Sequence, residues 1–144
     1  MLPEQLAEHP VAKGIEQQFP GAIVEAKLSF GETSFLVDAT QIVAVCTWLR
    51  RECGFDQLTA VTGVDWWPSQ PRFEIIYLLH SIRNNERLRL KVRVAENEEV
   101  PSVTPVWRAA NWYEREVFDL FGVKFTNHPD LERIMMPADW EGHQ

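Results

Sequence analysis

Cysteine is scarce in this chain. Cys46 and Cys53 are the only two among 144 residues, they stand seven apart, and no CxxC or Cys/His spacing occurs. Neither a disulfide framework nor a zinc or iron–sulfur ligand set follows from such spacing; two reduced, buried thiols are expected, as in a cytosolic protein. Long apolar runs are missing too: none approaches the roughly 18 residues of a membrane span, and the opening Met1-Leu2-Pro3-Glu4-Gln5 lacks the basic start and apolar centre of a signal peptide. A soluble, non-exported chain without direct membrane insertion is expected. Basic residues are outnumbered, 14 Lys and Arg against 21 Asp and Glu, for a net charge of -7. That balance argues against nucleic acid or an anionic membrane surface as partner, since both need clustered cations. No Gly-rich phosphate loop precedes a helix, no repeat is present, and no Ser/His/Asp order suggests a triad.

What is present suits one domain with a real core. At this length about two thirds of the unfolded surface can be buried, and 45% of the residues are hydrophobic. Pro10 starts a short helix with Val11, Ile15 and Phe19 on one stripe and Pro20-Gly21 at its end. Ile23 to Phe30 and Ser34 to Val37 read as a hairpin turning at Gly31-Glu32. Asp38 caps the next helix with Gln41 as reciprocal partner; Ile42, Val45, Cys46, Leu49 and Cys53 form a core stripe that Gly54 ends. Leu58 to Trp66 is a strand, and Arg72 to His80 is apolar on both faces, as in a central strand covered on two sides. After a turn at Asn84-Asn85, Glu86 to Ala95 alternates, with Leu88, Leu90, Val92 and Val94 inward and Arg87, Arg89, Lys91 and Arg93 outward. That outer row suits an acidic partner or, more commonly, a water-facing or edge strand guarded by charge.

The densest mixture of charges and aromatics runs from Asn111 to His128. Asn111 is placed to N-cap a helix with Glu114 as the capping-box carboxylate, and Gly122 to end it. Tyr113, Val117, Leu120 and Phe121 share the inward face, while Trp112, Arg115, Glu116 and Asp119 share the other and Phe118 projects from the edge. An aromatic among such charges has the make-up of a polar interface. The plain alternative is a solvated surface helix, whose Arg115/Asp119 pair, with the base N-terminal, contributes only a few tenths of a kcal/mol. Glu114 and Glu116 point to different faces, so they cannot act as a catalytic pair. Beyond Gly122 the sequence reads as an extended arm rather than a packed element, bent at His128-Pro129 and Met136-Pro137.

WYEREVFDLFG (112–122), followed by NHPDLERIMMPADWEGH (127–143), closely resembles the signature of the thirty-kilodalton subunit, or C-subunit, of respiratory complex I, the proton-pumping NADH:quinone oxidoreductase. RNNERLRLKVRV (83–94) and PSVTPVWRAANWYERE (101–116) extend the resemblance over nearly the whole chain. Glu132, where the family commonly has a basic residue, departs from it, and Gln144 ends the sequence where members usually continue into a basic segment. The resemblance implies a peripheral, non-redox subunit on the cytoplasmic side of the bacterial inner membrane. Its partners would be the quinone-binding D-subunit and neighbouring hydrophilic-arm subunits, with NADH, FMN, iron–sulfur clusters and quinone held by other chains. It assigns no catalytic, cofactor or metal residue here, and implies an interface formed by Trp112, Glu114, Arg115, Glu116, Phe118, Asp119, His128, Pro129, Asp130, Arg133 and Trp140.

The expected fold is α+β, a two-layer sandwich in the order α-β-β-α-β-β-β-α. A mixed five-stranded sheet carries helices on one face, with the globular core at about 10–108 and the signature helix and arm at 109–144. Two other functions remain open: the homologous subunit of a membrane-bound hydrogenase or a cyanobacterial or chloroplast dehydrogenase, and, more distantly, a small metal-dependent hydrolase using His128, Asp130 and nearby carboxylates.

Overall fold

The computed structural model describes residues 2–129. A 3-10 turn at Glu4–Leu6 leads to helix α1, Pro10–Gln18, where His9 Nδ1 accepts from the Ala12 N–H at 3.4 Å and Pro10 occupies a position that needs no donor. Strands β1 (Ile23–Ser29) and β2 (Glu32–Val37) form a hairpin. Its turn lies on Phe30 and Gly31, with φ of 53° and 77°, one residue earlier than expected. Two successive left-handed residues make a tight turn whose twist matches the strands.

Asp38 caps as expected, Oδ1 accepting from the Thr40 N–H at 2.9 Å, but what it caps is a 3-10 turn, Ala39–Gln41. Gln41 makes no capping bond, and helix α2 runs from Ile42 to Cys53, ended by Gly54 in the left-handed region. Strands β3 (Gln57–Asp65), β4 (Phe73–Ser81) and β5 (Glu86–Val94) form an antiparallel meander, followed by β6 (Val100–Pro101), helix α3 (Ala110–Phe121) and β7 (Phe125–Thr126).

The main sheet has the order β1-β2-β5-β4-β3, with only β2 and β5 parallel, so the α+β order and the mixed five-stranded sheet are as the sequence implied. One row across it, Ala26, Phe35, Leu90, Tyr77 and Val61, faces the core with the buried stripe of α2, Ile42, Val45, Cys46 and Leu49. Two strand assignments need correction. β5 is the third strand of five, so its basic row guards no edge. β4 is not covered on two sides: Phe73, Ile75, Tyr77 and Leu79 are buried, while Ile76 and Leu78 on the other face stay partly exposed.

The segment after α3 is not a free arm throughout. It turns back so that β7 lies parallel to β6, with Val100 N–H donating to Lys124 O and Ser102 N–H to Thr126 O, each at 3.0 Å. Val123 and Phe125 are buried, because two apolar side chains in this returning strand reach the same core.

Candidate functional site: helix α3 and the returning segment

The turn before α3 decides how the helix sits. Ala110 N–H donates to Trp107 O and Asn111 N–H to Arg108 O, so a preceding turn supplies acceptors for the first free donors. Ala109 is the N-cap residue and the expected Asn111/Glu114 capping box does not form. Released from that task, Glu114 points inward, and the buried face becomes Ala110, Glu114 and Val117 with Phe121 beside them. Leu120, expected inside, is 46% exposed, and Asp119, expected outside, is 1% exposed; the helix is turned toward Glu114. Phe121 lies against Gly63, where an added Cβ would come within 2.8 Å of the ring, and edge-on to Phe73 with ring centroids 6.1 Å apart. Gly122, with φ of 74°, ends the helix as expected, its N–H donating to Phe118 O.

Glu114 has no exposed surface, and its two oxygens bind the chain twelve and eleven residues upstream. Ser102 O–H donates to Oε1 at 2.7 Å and Val103 N–H to Oε2 at 2.8 Å. Thr104 N–H in turn donates to Ser102 Oγ at 3.1 Å, orienting the hydroxyl. His128 closes the cluster from the returning segment. Its Nε2 is 3.0 Å from Asn111 O and 3.8 Å from Glu114 Oε1, and since a carbonyl can only accept, Nε2 carries the hydrogen.

The electrostatics follow from burial. Loss of water pushes the Glu114 carboxyl up to about 7, against the two hydrogen bonds that favour the anion. Burial and the nearby Glu114 also push the Cys46 thiol and the Tyr77 phenol up. The cluster is therefore a set of internal bolts, joining α3, the Ser102–Thr104 loop and His128.

The outward face of α3 is different in kind. Trp112 is 52% exposed, with the Arg115 guanidinium over its ring at 5.7 Å. Arg115 Nε is shielded from water and makes no hydrogen bond among the described residues, a donor left for another acceptor. Glu116 and Phe118 are partly exposed, and Pro129 is exposed. Of the residues expected at an interface, the structure thus gathers Trp112, Arg115, Glu116 and Phe118 on the helix. It commits Glu114 and His128 to internal bonds and places Asp119 inside. Asp130, Arg133 and Trp140 lie outside the described residues. No three His, Cys, Asp or Glu side chains cluster as a metal site among the described residues, and His128 is taken up by Asn111 and Glu114.

Sequence reasoning does not find Ser102 and Val103 as holders of Glu114. Their signal is faint: Ser102 and Thr104 are two hydroxyls in the otherwise apolar run Val100 to Trp107. Nor does it find the ties at the start of α3, where Trp107 Nε1 donates to Phe55 O at 3.1 Å and the Arg50 guanidinium to Val106 O.

The family model described as the respiratory-chain NADH dehydrogenase 30 Kd subunit matches residues 35–143. The chain is similar to the NADH-quinone oxidoreductase C-subunit of Geotalea uraniireducens, 45% identical over 130 residues, covering 90% of this chain and 79% of the relative. It is 47% identical over 131 residues to the same subunit of Trichlorobacter lovleyi, covering 90% and 81%. With the C-subunit of Rhizobium meliloti that is numbered 2, the identity is 44% over 140 residues, covering 95% and 75%. Among solved structures, it resembles a chain of the membrane-bound sulfane sulfur reductase, an archaeal respiratory membrane complex, with a TM-score of 0.71 at 26% identity, covering 91% of this chain and 74% of that one. The sequence signature, the fold and these matches agree, and the chain belongs to the respiratory-chain NADH dehydrogenase 30 Kd subunit family.

Proposed function

We propose that this chain is a non-redox structural subunit in the hydrophilic arm of a bacterial proton-pumping NADH:quinone oxidoreductase. It sits on the cytoplasmic side of the inner membrane and clamps the quinone-binding D-subunit with the outward face of α3 and the segment from Pro129 onward. Catalysis belongs to the assembly, whose NADH, FMN, iron–sulfur clusters and quinone are held by other subunits. No described helix is long and apolar enough to cross a membrane, in keeping with peripheral attachment.

The observation that carries this reading is Trp112, half exposed and stacked by Arg115 on a helix whose position is set from inside by Glu114. Tryptophan and arginine are the side chains most enriched where an interface concentrates its energy. An anchor fixed in advance loses little freedom on docking. Arg115, Glu116 and Phe118 surround it, with Asp130, Arg133 and Trp140 as the remaining contacts.

The test is the double variant Trp112→Ala/Arg115→Ala. The isolated chain should melt within about 2 °C of the parent, while the NADH:quinone reductase activity that co-purifies with it falls about tenfold or more. Normal assembly combined with a large loss of chain stability would overturn the proposal. A second reading, a subunit of a different membrane respiratory complex, is favoured by the likeness to the sulfane sulfur reductase chain. Co-purification of an assembly that reduces sulfane sulfur and does not oxidise NADH would select it.

A further inference from the structure

We infer that the outer face of the sheet is a second docking surface, shaped for an acidic amphipathic segment of a neighbouring subunit. The inference rests on membership of an assembly and adds a face remote from the α3 clamp.

Arg87, Arg89, Lys91 and Arg93 project outward from β5, four of the chain's 14 basic residues in one line at about 7 Å intervals. Edge protection does not explain them, because β5 is paired on both sides. A merely solvated face does not explain their neighbours: across the ladder Lys91 lies beside Ile76 and Leu36, and Arg89 beside Leu78. The core stripe of every described helix belongs to the opposite layer, so these apolar side chains have no described element over them. Two positive charges remain uncommitted. Arg89 pairs with Glu32 at 2.9 Å and Arg93 donates to Pro71 O at 2.6 Å, whereas Arg87 and Lys91 have no ion-pair partner among the described residues.

Two further features point to a ligand. A hollow of about 410 Å³ opens between Leu78, His80, Arg87, Arg89 and the Glu32 that Arg89 pairs with, and His80 Nε2 is buried with no hydrogen-bond partner among the described residues. An imidazole nitrogen needs a partner in either tautomer. On the other side of Arg89, a hollow of about 300 Å³ is bounded by Lys27, Lys91, the paired Glu32 and Phe30, a fully exposed aromatic held at φ 53°. The hairpin turn holds this ring out in water beside the basic row, where it supplies an apolar anchor.

The chemistry that fits is a segment with carboxylates on one side, spaced to meet Arg87 and Lys91, and apolar side chains set against Leu78 and Phe30. A protein segment fits better than a polyanion or an anionic lipid surface, because Ile76, Leu78 and Phe30 stand among the cations and call for apolar side chains interleaved with carboxylates, which phosphate groups alone do not supply.

The experiment is zero-length carbodiimide cross-linking of the intact assembly. Lys91 should be joined to an Asp or Glu of a neighbouring subunit, and Arg87→Glu/Lys91→Glu should lower the chain retained in the assembly by about tenfold while its own melting temperature stays within about 2 °C of the parent. Lys91 joined only to its own chain, including Asp130, Glu132, Asp139 or Glu141, or to a second copy, would overturn the inference. So would unchanged retention of the double variant, Lys91 as reactive in the assembly as in the free chain, or binding to phosphatidylglycerol vesicles that the double variant loses. A parent chain absent from any respiratory assembly would overturn the proposed function itself, and so is distinguishable from an assembled chain with an open Lys91.

Discussion

Helices α2 and α3 invite comparison because they share a length of 12 residues and a glycine stop with φ of 76° and 74°. They are held in different ways. α2 buries Ile42, Val45, Cys46 and Leu49, and its contribution is area taken from water. α3 buries Ala110 and Val117 together with Glu114, whose carboxylate binds Ser102 and Val103. Apolar burial is tolerant of small rotations and slides; hydrogen bonds of 2.7 and 2.8 Å are not. The helix that presents Trp112 is thus fixed in rotation, which is what a docking face requires.

The largest test of this difference is Glu114→Leu. If α3 were held as α2 is, an apolar replacement would be neutral or stabilising. Because Val103 N–H and Ser102 O–H would lose their acceptor in a buried site, a loss of about 3 kcal/mol in urea unfolding is expected. Next comes pH. The folded chain keeps a proton on Glu114 between the ordinary value of 4.5 and about 7, where the unfolded chain has lost it. This contribution is full below about pH 4.5 and disappears as pH rises through about 7, on the order of 3 kcal/mol in all. Glu114→Gln should flatten that slope in melting curves taken across the window; an unchanged slope would assign it to another group. Gly63→Ala is smaller, about 1–2 kcal/mol, because the new methyl must displace the Phe121 ring. The smallest effect belongs to Trp112→Ala, below about 0.5 kcal/mol in the isolated chain; a larger loss would mean that the indole is a core group.

These two helices also mark what is legible in the sequence. The stripe of α2 is plain because every inward residue is apolar, and the strands of the meander are plain because their alternation is clean. The pattern of α3 misplaces its inward face, since periodicity treats a carboxylate as a surface group and Glu114 offers itself as a capping residue. Only the turn at Trp107 to Ala109 removes that role, and its existence depends on contacts to Phe55 and α2 far away in the chain. Sheet order is hidden for a similar reason: the outward row of β5 has the composition of an edge, while its place between β2 and β4 is set by a pairing between distant segments. Family membership, by contrast, is legible from the signature alone, because motif spacing survives errors in assigning faces.

The parallel seam between β2 and β5 has a kinetic consequence. It joins Thr33 to Leu88 and Leu36 to Lys91, partners 55 residues apart, whereas β1 with β2 and β3 with β4 and β5 are local hairpins. Local pairs form first, and the seam must await closure of a long loop. Until it closes, the chain consists of two half-sheets, each with an unpaired edge strand and an uncovered apolar face, in the interval when a newly made subunit is most exposed to aggregation.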